Sequence, residues 1–356
     1  MSVWKLIKLD FGRSPAHFGE LGIGMEETSD RVRSDSLFSA WISVYARLFG
    51  KVPVEELLHL FPTHEQPELT PPFRISSTFI YRQIDNNTRT IYYLPRPLKF
   101  PHNYPNHDLE FFKTYKKLNY LPLEIWTKWY QRTGFDQQAD TEELIEQTNK
   151  GKSTGKLNQL GTFDYSKACK KDKVPKIAVD RVTRSTNLYH TGFVQFEWEA
   201  NPAGLYFLLQ INPEGQNYEG KLHAALELLG EEGLGGERSS GAGRFTLSWC
   251  DLPADWHDLI NFKQGNSYSI LSLYWDSNIK PEDLEQASYE IIERGGWVAE
   301  NQVRRKMVRM FKEGSVFYKQ PQGKLADVTP SGFKQNYHIY RSGISLSLPI
   351  KVKEEQ

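Results

Sequence analysis

The chain has 356 residues, with 44 Lys+Arg against 44 Asp+Glu, and its 9 Trp, 18 Tyr and 20 Phe make it rich in aromatics. That length suits two domains able to bury their cores without staples, and zero net charge excludes a global basic field, so nucleic-acid binding has to rest on local patches. Cys169 and Cys250 lie far apart with no CxxC, which excludes a disulfide framework and a Cys-rich zinc module. No stretch reaches the ~20 apolar residues of a membrane span, and the first residues lack the apolar run of a signal peptide, so a soluble cytoplasmic protein with no membrane partner is expected.

In chain order, Val3 to Phe11 alternates as a strand. After a glycine-containing loop, Ser34 stands where an N-cap belongs, Leu37, Trp41, Val44, Tyr45 and Leu48 recur at helical spacing, and Gly50 closes the helix at C′. Val54 to Phe61 reads as a second short helix stopped by Pro62, and Phe73 to Tyr81 with Thr88 to Leu94 as a strand pair around Asp85-Asn86-Asn87. Prolines between 95 and 132 predict a connector of short helices. The polar stretch from about 133 to 176 predicts a segment outside the core, and 150–184 holds ten basic residues against three acids. That basic run reads either as a solvated insertion or as a mobile arm that orders on a polyanion.

Regularity returns at Tyr189, and Gly204 to Ile211 is apolar on both faces, as in a strand covered on both sides. Leu222, Ala225, Leu226 and Leu229 share one helix face. Strands are expected near Ser267–Trp275, Ile291–Val298 and Val303–Phe311, the last turning at Gly314-Ser315 to pair with Val316–Tyr318. Strand–helix–strand–strand thus occurs in both halves. The expected fold class is α+β, with two ferredoxin-like (RRM-like) sandwiches: residues 1–200, carrying an insertion at about 95–176, and residues 201–350 with a glycine-rich loop.

Motif spacing excludes more than it admits. GKSTGK at 151–156 has one residue too few between its glycines for a Walker A loop, and Leu157 follows where Ser or Thr belongs. HExxH, GxSxG and the zinc-deaminase signature are absent, and the histidines are scattered singly, so no metal, cofactor or catalytic residue is assigned. Three segments suit an anion. Gly235, Gly236, Gly241 and Gly243 let backbone approach a ligand, with Arg238, Ser239, Ser240 and Arg244 to meet phosphate oxygens. Arg13, His17, Arg31, Arg33, Ser34 and Asp35 surround a helix N-terminus, and Arg181 and Arg184 follow the basic stretch. Tyr81, Tyr189, Phe193 and Trp297 serve as stacking candidates or as core.

HFGELG with RSDSLFSAW, VDRVTRST, GLGGERSSGAGRF and the EGSVF turn together resemble the RAMP proteins of type III CRISPR effector complexes. The glycine loop and SDSLFSAW are the most specific of these, and they are most similar to the fourth-subunit family of the Csm (type III-A) complex. The resemblance implies two RAMP (ferredoxin-like) domains that grip the 5′ repeat-derived handle of the CRISPR RNA. It also implies docking to the large polymerase-like subunit and to the first backbone RAMP subunit, and an inserted thumb that kinks the guide, for which 150–184 is the candidate. By resemblance the RNA contacts are His17, Ser34 and Asp35, then Arg181 and Arg184, then Gly235, Gly236, Arg238, Ser239, Ser240, Gly241 and Gly243. The alternative reading is a metal-independent endoribonuclease of the same fold, processing precursor RNA with His17 as base. A variant of it cuts with Asp30 or Asp35 and a divalent metal.

Overall fold

The computed structural model describes residues 2–20, 24–105, 111–298, 303–333 and 337–353. Strand β1 (Val3–Asp10) leads to helices α1 (Ser34–Phe49) and α2 (Lys51–Leu58), then to strands β2 (Phe73–Ile75), β3 (Phe79–Ile84) and β4 (Arg89–Pro95). The insertion supplies α3 (Phe112–Lys117), β5 (Tyr120–Pro122), α4 (Leu123–Gln131), α5 (Ala139–Lys150) and α6 (Lys156–Gln159). It ends in a long hairpin of β6 (Cys169–Val179) and β7 (Thr186–Phe196). Next come β8 (Ala203–Ile211), α7 (Glu219–Glu232) and β9 (Thr246–Asp251). The C-terminal part holds α8 (Ala254–Ile260), β10 (Ser267–Ile270), α9 (Pro281–Leu284), β11 (Ile291–Arg294), β12 (Trp297–Val298) and β13 (Val303–Arg304). It closes with β14 (Val308–Phe311), β15 (Val316–Phe317), β16 (Leu325–Asp327), β17 (Tyr340–Ser342) and β18 (Ser347–Ile350).

The main sheet runs β5-β4-β3-β8-β1-β9, with β2 also on β8. The units β1-α1-β3 and β8-α7-β9 interleave within it, which is the split-βαβ arrangement. A division at residue 200 therefore runs through the sheet, because β8 and β9 flank β1 on its two sides. Strand order along the chain does not reveal which strands pair, and that is why the halves looked separable.

Both faces of the sheet are covered, which accounts for the apolar run in β8. Leu205, Phe207 and Leu209 join α1 and α7 in one core, while Tyr206 and Leu208 join α4, α8 and the C-terminal strands in a second. The α1 stripe packs as its spacing demands: Leu37, Trp41, Val44 and Tyr45 are buried, and Trp41 Nε1 donates to the Leu222 carbonyl of α7 at 2.8 Å. Burying each such side chain contributes about 1.5–3 kcal/mol. Asp85, Asn86 and Asn87 all adopt positive φ in the β3–β4 turn, which Asn and Asp tolerate better than most residues.

Four expectations change. Ser34 is the first helical residue and not the N-cap; its hydroxyl accepts the Leu273 N–H, and its own N–H goes to Ser77 Oγ. The strand expected over Phe73–Tyr81 breaks at Ser76–Thr78, where Ser77 N–H reaches Leu271 O and Thr78 N–H reaches Val32 O. The polar stretch 133–176 is not wholly outside the core, since Phe135, Leu144, Leu157 and Ala168 are buried. Finally, β14 pairs with β11 and β15 pairs with β10, so Gly314 redirects the chain between sheets instead of closing a hairpin.

Candidate nucleic-acid interface

The glycine loop is fastened to the segment that follows β1. Gly236 N–H donates to His17 O and Gly243 N–H to Pro15 O, both at 2.8 Å. Ala16 bridges to Val194 at the base of the β6–β7 hairpin, and His17 Nδ1 donates to the Gly192 carbonyl at 2.7 Å. Lys176 of β6 forms an ion pair with Glu237 of the loop. Pro15 to His17, the glycine loop and the hairpin base thus form one assembly.

Most of these glycines are required by protein contacts. A Cβ on Gly235 or Gly236 would overlap His17, and one on Gly243 would overlap the Leu234 carbonyl. Gly241 differs, because its φ is +85° but the space beside it is open. Gly241→Ala should then cost about 1 kcal/mol through its backbone conformation alone. Gly235→Ala adds backbone overlap to a φ of +103° and should cost clearly more. Urea unfolding of the two variants checks this; equal losses would mean the loop moves freely past His17.

Arg238, Ser239 and Ser240 form an exposed 3₁₀ turn at the loop tip. Behind it lies a groove of about 820 Å³. The loop and His17 form one wall and α1 the other, with Trp297 and Arg305 also lining it. Along α1, Ser36, Ser39, Ala40 and Ser43 present small side chains to the groove, with Arg47 beyond them. Trp297 is 57% exposed and carries the Arg304 guanidinium 4.8 Å from its ring. Of the other stacking candidates, Tyr81 and Phe193 are buried and Tyr189 is half-buried.

Sequence reasoning missed Ser36, Ser39, Ser43, Arg47 and Arg305. For the three serines a signal existed: small hydroxyl residues three and four apart, opposite the apolar stripe, with Arg47 four residues beyond Ser43. Nothing local marked Arg305.

Several predicted contacts fall elsewhere. Arg31 and Arg33 are buried on Glu313, at 3.2 and 2.6 Å, and Arg33 also holds Glu20 at 2.7 Å. Ser34 and Asp35 are buried, with Asp35 held by Arg294 at 2.8 and 3.0 Å and by Arg341. Neither is open to a ligand. Their chain position at a helix start resembles an anion site, but the C-terminal strands cover it. Arg13 stacks on Trp198 at 4.2 Å, and Arg244 lies in a separate cavity beside Asp10 and Glu231. Arg181 and Arg184 occupy the exposed turn of the hairpin, roughly 15 Å beyond Lys176 at strand rise.

Comparison with known proteins bears on this arrangement. The family model for the CRISPR Csm4 C-terminal domain matches residues 263–350, from just before β10 to the end of β18. The "CRISPR system Cms protein Csm4" of Methanocaldococcus jannaschii is 28% identical over 96% of this chain and 96% of its own length. The chain is similar to Csm4 proteins over nearly its whole length. Its counterpart in Mycobacterium tuberculosis is 26% identical over 97% of this chain and 98% of that protein.

Among solved structures, a chain of the Csm3-Csm4 subcomplex of the type III-A CRISPR-Cas interference complex superposes with a TM-score of 0.59. It shares 21% identity, covering 97% of this chain and 99% of that one. A chain of the Csm1-Csm4 cassette in complex with AMPPNP gives 0.52 at 17% identity, with full coverage of both. The fold is thus the RAMP fold of Csm4. The Csm4 C-terminal domain of this chain supplies Arg294, Arg341, Trp297 and Arg305, so it both seals the start of α1 and lines the groove. No helix among the described residues is long and apolar enough to cross a membrane.

Proposed function

We propose that this chain is a non-catalytic RNA-binding subunit of a cytoplasmic type III-A interference complex, holding the 5′ repeat-derived handle of the CRISPR RNA in the groove. The observation that carries this is the groove itself. It combines an exposed guanidinium at Arg238, a second at Arg47 that is ion-paired to Glu232, an exposed indole at Trp297 and a hydroxyl-lined helix face. Cations for phosphates and an open aromatic face for a base are what single-stranded RNA requires. The β6–β7 hairpin, with Arg181 and Arg184 at its turn, is the candidate thumb. Docking to the large polymerase-like subunit and to a backbone RAMP subunit is supported by the complexes in which the fold relatives occur, with Csm1 and with Csm3.

The nuclease alternative has little to work with. The bond from His17 Nδ1 to the Gly192 carbonyl leaves Nε2 as the acceptor, but the cations beside it in the groove are guanidiniums, which cannot serve as the second acid because they do not exchange protons near neutrality. Arg238→Ala and Arg181→Ala should each weaken retention of a handle-bearing RNA by about tenfold. Each should also flatten the log–log salt slope by about 0.7. Filter binding at two salt concentrations, with a denaturing gel run with and without magnesium, tests this. Unchanged affinity in both variants, or cleavage that vanishes in His17→Ala, overturns it.

A further inference from the structure

A second cleft, of about 1220 Å³, lies on the other side of the Arg31–Arg33–Glu313 cluster, between α3 of the insertion and the C-terminal strands. Lys113, Lys116 and Lys117 line it from one face of α3, at the i, i+3, i+4 spacing that brings side chains together. All three are exposed, and among the described residues none has a carboxylate partner. Arg96 also faces the cleft, with its guanidinium bonded to the Leu118 and Pro97 carbonyls and 4.8 Å from the Tyr115 ring.

Three acids line the cleft against seven cations, and one of them, Asp30, accepts from the Tyr165 hydroxyl at 3.1 Å. Glu313 is occupied by two guanidiniums and Ser77, and Glu290 pairs with Lys312. Arg31 is 6% exposed and lines the cleft, and its Nη1 has no hydrogen-bond acceptor among the described residues. A buried guanidinium donor without an acceptor is costly, and a ligand oxygen would remove that cost. The groove and this cleft both have Arg31 and Arg33 in their walls, so the two lie on opposite sides of one side-chain layer.

We propose that this cleft is a second phosphate-binding site, formed by Arg31, Arg96 and the α3 lysines, that takes a further segment of the same single-stranded RNA. The proposal rests on the groove holding RNA, and its test separates the two.

The experiment measures binding of the full chain to labelled single-stranded RNAs of about 4 and about 16 nucleotides across a salt series. The variants are Arg238→Ala and the triple Lys113→Ala/Lys116→Ala/Lys117→Ala, whose exposed positions leave thermal unfolding unchanged. Wild-type protein should show the steeper salt slope with the longer RNA. The triple variant should lower that slope by roughly 2, about 0.7 per lost contact, and leave the short RNA unaffected. An unchanged slope for the longer RNA overturns the proposal. So does equally triple-sensitive binding of polyglutamate in place of RNA, which would assign the cleft to an acidic protein surface. If Arg238→Ala affects neither RNA while the triple variant still weakens the longer one, the groove reading fails and the cleft stands.

Discussion

Replacing Asp35 with Ala should destabilise the fold by about 3–5 kcal/mol, the cost of leaving buried charge without its partner. The Asp35 carboxylate is 0% exposed. It accepts Nε and Nη2 of Arg294 and a bond from Arg341, whose Nη2 in turn donates to Gly295 O at 2.7 Å. Burial alone would push this carboxyl up, but the two guanidiniums outweigh it and hold the group below the ordinary carboxylate range. Asp35 also sits in the first turn of α1, where a negative charge complements the helix dipole. Asp35→Asn keeps the shape and removes the charge, so it should lose nearly as much. Urea unfolding gives the loss, and filter binding of the folded fraction should still retain RNA. A variant of unchanged stability that no longer cut RNA would instead mean that Asp35 is a metal ligand.

Glu313→Gln should cost about 3 kcal/mol near neutral pH, with a loss that disappears in acid. Burial opposes ionisation here, yet Arg31, Arg33 and the Ser77 hydroxyl bring the Glu313 pKa from 4.5 to about 2. A carboxyl with a lowered folded-state pKa contributes stability that is full above its unfolded value and is lost as pH falls towards the folded one. The wild-type advantage should therefore shrink between about pH 4.5 and about pH 2. Urea midpoints measured across that range check it. Parallel curves for the two proteins would show that Glu313 does not carry the charge in this cluster. Its partner arginines flank the start of α1, as does Asp35, so the two substitutions should not be additive.

Much of the fold was legible in the sequence because it rests on local periodicity. The α1 and α7 stripes, the apolar run of β8 and the Asp85–Asn87 turn are each contained within one stretch of chain. The resemblance also pointed to the Csm4 proteins that the chain matches over nearly its whole length. What failed depends on distant partners. Asp35 meets Arg294 and Arg341 across separations of 259 and 306 residues, for which no spacing rule exists, and without them an Asp at a helix start looks like part of an anion site. Glu313 was read only as part of a turn, although it neutralises two arginines that had been read as part of an anion-suited segment. The glycine loop was found from composition. Its glycines, however, are explained mainly by how closely the backbone passes His17 and Leu234.

The placement of Arg294, Trp297, Arg305 and Arg341 late in the chain has a consequence for biosynthesis. The main sheet is complete once β9 has emerged, so a nascent chain can assemble that body while α1 still lacks the guanidiniums that neutralise Asp35. The groove wall formed by Trp297 and Arg305 is missing at the same moment. Translation order thus delays completion of the proposed RNA groove until the last strands are added, and a chain ending before them lacks both the partners of Asp35 and that groove wall.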